Sequence, residues 1–141
     1  MSEAETADLT SGDVQGLMLS RGLKSGGLRR VGAIDIGTNS THLLVASVDP
    51  ALGTFSIIQA EKSTTRLGER DPETGELSAA AMERGFKTLR RFLDLANSHQ
   101  VEQVVTAATS AVREAPNGRD FLQSIKDELG IEVDLVSGPE E

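Results

Sequence analysis

One carboxylate, one glycine and three short side chains that donate hydrogen bonds fall within Asp35-Ile36-Gly37-Thr38-Asn39-Ser40. Gly37 lets the backbone approach an anion closely, and successive N–H groups in a tight turn form a positive concavity suited to phosphate oxygens. Thr38, Asn39 and Ser40 add side-chain donors. Asp35 beside a bound phosphate is repulsive unless a divalent metal or its water lies between, so this carboxylate would hold Mg²⁺ through water. The same spacing also suits an ordinary β-turn with a local side-chain bond, and the two readings stand side by side here.

Three other places offer charged groups. Arg113 carries a guanidinium fork that can bind two phosphate oxygens or pair with a neighbouring surface acid. Glu140-Glu141 close the sequence after Ser137-Gly138, and they read either as site carboxylates or as a solvated acidic end. Arg66 sits in a loop and reads equally as a cleft residue or a surface one. His42 and His99 have no ligand-spaced partners.

Composition narrows the chemistry. There is no Cys, which excludes a disulfide framework, a thiolate zinc site and a cysteine nucleophile. Aromatics are 3%, with neither Trp nor Tyr, so stacking platforms for single-stranded nucleic acid are poorly supplied. The net charge is −8. Glu3, Glu5, Asp8 and Asp13 balance Arg21, Lys24, Arg29 and Arg30, which leaves the whole excess on residues 31–141. Such a surface repels polyanions at long range, and an anionic substrate then needs local cations or a divalent metal. No apolar run reaches membrane-spanning length and no signal-peptide core is present, so a cytoplasmic protein is expected.

The elements that must position these groups follow from patterning. Residues 1–30 mix Gly, Ser and scattered charge and read as a flexible tail, whose basic cluster from Arg21 to Arg30 reads as solvated linker sooner than as a polyphosphate-attracting patch. Apolar runs at Val31–Ile36, Leu43–Val48 and Phe55–Ala60 are joined by connections too short for crossover helices. They predict an antiparallel meander, with Asp49-Pro50-Ala51-Leu52-Gly53 as the second turn. Ser63–Leu77 is a polar loop ahead of a helix. Ser78 is its N-cap, Leu77 and Met82 form a hydrophobic staple, and Met82, Phe86, Leu89, Leu93 and Ala96 form its apolar stripe. Arg84, Lys87, Arg90 and Arg91 are expected on its solvated face. Val101–Ala107 reads as a buried parallel strand, Asp120–Leu129 as a second helix stopped by Gly130, and Ile131–Val136 as a fifth strand.

With these elements in place, the motifs resemble in order those of the exopolyphosphatase and guanosine pentaphosphate phosphohydrolase (Ppx/GppA) phosphatases, within the actin-like ATPase superfamily. Asp35-Ile36-Gly37-Thr38-Asn39-Ser40 is similar to the family's first phosphate loop. Arg66-Leu67-Gly68-Glu69, Ala81-Met82-Glu83-Arg84, Ala108-Thr109-Ser110-Ala111-Val112-Arg113-Glu114-Ala115 and Val136-Ser137-Gly138-Pro139-Glu140-Glu141 agree with later segments. The resemblance covers about residues 30–141.

It implies an α/β domain of the actin-like ATPase, ribonuclease H-like, type: a mixed five-stranded sheet in the order β-β-β-α-β-α-β. It also implies Arg113 turned toward phosphate, Glu141 as the group that orients and deprotonates water, Glu140 beside Asp35 as a metal carboxylate, and Mg²⁺ or another divalent cation as cofactor. The implied substrate is inorganic polyphosphate or guanosine pentaphosphate, acted on by a homodimeric parent that binds neither nucleic acid nor membrane. The family's second phosphate loop, a D-x-G-G-G-S pattern, has no counterpart before Glu141. Residues 31–141 are thus expected to be the first domain of such a phosphatase, with little or no turnover alone. A non-catalytic polyphosphate or guanosine tetra/pentaphosphate sensor and an actin-like kinase fragment are the competing readings. Glu141 argues against the first, and the segments of Arg113 and of Glu140-Glu141 argue against the second.

Overall fold

The computed structural model of the chain describes residues 28–136. Most of the expected tail, and Glu140 and Glu141, lie outside the described residues. Among the described residues, five strands and three helices follow in order: β1 Arg29–Ile36, β2 Ser40–Asp49, β3 Thr54–Thr64, α1 Ala79–Ser98, β4 Gln103–Ala108, α2 Ser110–Glu114, α3 Gly118–Leu129 and β5 Val133–Leu135. The strands form one sheet ordered β3-β2-β1-β4-β5. Strands β1, β2 and β3 are neighbours joined by short turns, as an antiparallel meander requires. β4 pairs with β5 in parallel, with Thr106, Ala107 and Ala108 opposite Val133, Asp134 and Leu135. The sheet is therefore mixed, as expected.

Boundaries moved where polar residues continue a strand. β1 starts at Arg29, two residues ahead of the expected Val31. β3 runs on to Thr64, because Glu61 and Ser63 turn half-inward while Lys62 and Thr64 face solvent, an alternation that an edge strand tolerates. The short helix α2 was not expected.

By internal packing the chain divides into two units. The first runs up to Ile34 and includes His42–Lys62 and Phe92–Val105. Its core clusters Val31, Ala33, Leu44, Ala46 and Val105, with Val48, Phe55 and Ala60 packed against them. The turn from Asp49 is held as its sequence suggests: Asp49 Oδ1 accepts from the amides of Ala51 and Leu52, at 3.1 and 3.3 Å.

The second unit comprises Asp35–Thr41, Ser63–Arg91 and the chain from Thr106 onward. Ser78 caps α1 as expected, its Oγ accepting from Ala81 N–H at 3.1 Å. The apolar stripe of α1 is rotated from the expected line. Ala81, Gly85, Leu89, Phe92 and Ala96 are buried, whereas Met82, Phe86 and Leu93 flank them half-buried. Small residues set this rotation, because they let the helix lie close. A Cβ at Gly85 would stand 3.1 Å from Phe121 Cζ of α3. Phe86 meets Phe121 edge-on, with ring centroids 5.5 Å apart.

Arg84 also departs from the solvated role expected of it. Its Nε donates to Thr65 O at 2.9 Å, and Nη2 lies 3.4 Å from Glu69 Oε2, an ion pair without hydrogen-bond geometry. Helix α3 ends at Gly130 as expected. That residue takes a left-handed conformation (φ 72°), and its N–H closes on Lys126 O at 2.9 Å.

Candidate phosphate-binding site

The second unit contains every described candidate residue. β1 ends at Ile36 and β2 begins at Ser40, so Gly37-Thr38-Asn39 makes the link. Gly37 N–H donates to Ser40 O at 3.0 Å. A Cβ on Gly37 would come within 2.8 Å of that same oxygen, nearer than Cβ atoms approach, so the tight hairpin requires glycine there. The Gly37 amide is thus engaged inside the turn.

The next two carbonyls are turned to one side. Thr38 O accepts from Gly68 N–H at 2.8 Å, and Asn39 O accepts from the N–H groups of Thr65 and Arg66, at 3.1 and 3.0 Å. A trans peptide sets its C=O and the following N–H on opposite sides, and no described peptide is cis. The amides of Asn39 and Ser40 are therefore both directed away from the Thr65–Gly68 segment, as a concavity for an anion needs. The buried hydroxyls of Thr41 and Thr65, 2.9 Å apart, fasten the same segment one step further along β2.

Three strand ends meet beside this turn. Thr109 N–H donates to Ile36 O at 3.1 Å, and Val136 N–H donates to Ala108 O at 3.0 Å, so the carboxyl ends of β1, β4 and β5 lie side by side. Open α/β sheets place ligands at that end. Ser110, the first residue of α2, brings its Oγ to 3.4 Å from Thr38 Oγ1. Arg113 lies three positions on, the spacing that puts two side chains on one helix face. Its Nη1 donates to Val136 O, and its Nη2 stands 3.8 Å from Glu114 Oε1. The guanidinium is thus held against Val136, the last described residue, one position past β5; Glu140 and Glu141 lie outside the described residues.

Three further contributors are not legible in the sequence as functional: Ser110, Arg70 and Asn117. Ser110 stood within a recognised stretch without a role of its own. Arg70 donates to Ala111 O at 2.7 Å and to Gly75 O at 3.2 Å, so it braces α2 from the loop. Asn117 acts similarly: its Oδ1 accepts from Leu77 N–H at 2.8 Å and its Nδ2 donates to Leu77 O at 3.2 Å. Arg66 is exposed, with a left-handed backbone (φ 52°), and touches the turn through its N–H to Asn39 O.

Asp35 is half-buried at the end of β1. Among the described residues, no group of three or more His, Cys, Asp or Glu forms a closed metal cage. One carboxylate fits the mode in which Mg²⁺ keeps most of its waters and takes further ligands from substrate phosphates. Elsewhere in the unit, a groove of about 410 Å³ lined by Arg119, Leu122, Lys126 and Asp134 contains none of the candidate residues. Among the described residues, no helix is long and apolar enough to cross a membrane.

Comparison with known proteins gives a consistent result. A family model described as the Ppx/GppA phosphatase family matches residues 44–141. Exopolyphosphatase 1 of Mycobacterium tuberculosis is 31% identical over 112 residues, which are 79% of this chain and 32% of that protein. The crystal structure of the Ppx/GppA family member of Aquifex aeolicus superposes with a TM-score of 0.74 at 33% identity, covering 81% of this chain and 37% of that one. A crystal structure of an exopolyphosphatase from Cytophaga hutchinsonii gives a TM-score of 0.73 at 34% identity, over 80% of this chain and 36% of that one. The fold is thus of the expected actin-like type. The chain spans about a third of the length of the curated relatives it matches.

Proposed function

The chain belongs to the Ppx/GppA phosphatase family, and from that membership we propose that it forms the phosphate-binding wall of a hydrolase that releases the terminal phosphate of inorganic polyphosphate. The observation that carries this reading is the convergence of the 37–40 turn with Ser110 and the helix of Arg113 at the carboxyl ends of β1, β4 and β5. That these relatives bear the name exopolyphosphatase supports polyphosphate as the substrate class in this reading.

The amides of Asn39 and Ser40, with the hydroxyls of Thr38 and Ser40, receive phosphate oxygens. Arg113 exchanges its contact with Val136 O for a charge-assisted contact to the substrate, which is stronger than a bond to a neutral carbonyl. Asp35 would help to hold Mg²⁺, and Glu140 would add a second carboxylate. When bound, the metal neutralises phosphate charge that a protein of net charge −8 otherwise repels. Glu141 orients a water molecule and takes its proton. The water oxygen bonds to the terminal phosphorus, the bridging P–O bond breaks, and orthophosphate leaves a chain shorter by one unit.

The test is orthophosphate release by the full-length protein from long-chain polyphosphate and from guanosine pentaphosphate, beside acetyl phosphate formation from ATP and acetate. Release from polyphosphate at the highest kcat/KM supports the reading. Preference for guanosine pentaphosphate moves the substrate, and ATP-dependent transfer without hydrolysis rejects it.

A further inference from the structure

The segment Thr65-Arg66-Leu67-Gly68 has no part in the chemistry above, yet it is fastened to the phosphate turn by three backbone hydrogen bonds. Thr65 and Arg66 donate to Asn39 O, and Gly68 donates to Thr38 O. Gly68 is exposed, and its backbone is outside the left-handed region that favours glycine. The one close obstacle to a side chain there is Thr38. A Cβ would stand 2.6 Å from Thr38 Cγ2, while the next atom, Thr38 O, is at an ordinary 3.5 Å. The hydrogen bonds prevent the segment from backing away, so any side chain at position 68 must displace the Thr38 methyl.

Thr38 is β-branched, and its methyl and hydroxyl turn together about χ1. Moving Cγ2 away from position 68 carries Oγ1 away from Ser110, 3.4 Å from it in the structure. We propose that Gly68 is a positioning residue: its bare Cα seats the Thr38 methyl and so aims the Thr38 hydroxyl, with Ser110, at the bound phosphate. This rests on the phosphate-site reading above.

The test uses Gly68→Ala, Thr38→Ser and the double variant of the full chain, because Thr38→Ser removes Cγ2 and keeps the hydroxyl. Two quantities are read: the Thr38 χ1 populations from three-bond NMR couplings without ligand, and the affinity for inorganic tripolyphosphate by calorimetry. Gly68→Ala is expected to shift Thr38 to another rotamer and to weaken binding about ten-fold, the loss of one hydrogen bond to a charged group. In the Thr38→Ser background the same substitution is expected to change affinity less than about two-fold, since coupling vanishes once the shared contact is gone. An unchanged χ1 in Gly68→Ala, or an equal loss in both backgrounds, overturns the proposal. If Gly68→Ala does not fold, recovery of folding in the double variant supports the contact and failure to recover rejects it. Should the wild type not bind tripolyphosphate, the phosphate reading fails, while the ligand-free χ1 measurement still decides the positioning claim.

Discussion

The hydroxyl oxygens of Thr38 and Ser110 lie 3.4 Å apart across 72 positions of sequence. The pair joins the β1–β2 turn to the start of α2, and α2 in turn carries Arg113, whose guanidinium reaches the carbonyl of Val136. A phosphate seated on the turn, as proposed, would be within reach of two separate stretches of chain.

Arg113→Ala is expected to weaken tripolyphosphate binding by about 10- to 100-fold, the range for a lost hydrogen bond between charged groups. Arg113→Lys should recover only part of that loss, because an ammonium cannot reproduce the planar fork. Isothermal calorimetry at fixed ionic strength checks both. Equal binding by wild type and Arg113→Ala would remove Arg113 from the site.

Gly118→Ala tests how α2 and α3 are joined. A Cβ on Gly118 would fall 1.9 Å from Val112 O, a backbone atom that cannot rotate aside. The substitution should cost about 3 kcal/mol, the upper end of overpacking penalties. Urea denaturation measures it, and a loss below about 0.5 kcal/mol, typical of surface changes, would contradict the packing described.

Ser78→Ala removes the cap on α1. Its Oγ both accepts from Ala81 N–H and donates to Glu69 Oε1 at 3.1 Å. A loss of about 1 kcal/mol is expected in the same measurement. Ser78→Asp should recover only part of it: Asp caps as well as Ser, but its carboxylate cannot donate to Glu69 and is repelled by it.

What was legible in the sequence was local. The cap at Ser78, the turn at Asp49 and the stop at Gly130 each depend on bonds spanning four residues or fewer, and each stands as expected. What was not legible depends on distant pairs. Arg84 read as a solvated charge because nothing near it announces Thr65 O, 19 residues earlier. Arg70 bonds Ala111 O across 41 positions, so its brace on α2 has no sequence signature. Spacing predicts the stripe of α1 through Met82, Phe86, Leu89, Leu93 and Ala96, but Ala81, Gly85 and Phe92 share the buried line with Leu89 and Ala96, because small residues allow close approach. The turn itself was visible as a cluster of donors. Which of its amides stay directed outward was set by carbonyl bonds to Thr65, Arg66 and Gly68.

The proposed function turns on water, activated by Glu141, cleaving a phosphoanhydride held by the 37–40 turn. Its most direct test is steady-state orthophosphate release from long-chain polyphosphate by the full-length protein and its Glu141→Gln variant, with Mg²⁺ present. Loss of a general base predicts a fall in kcat of about 100-fold or more with substrate affinity retained. A Glu141→Gln variant that turns over like the wild type would contradict the account.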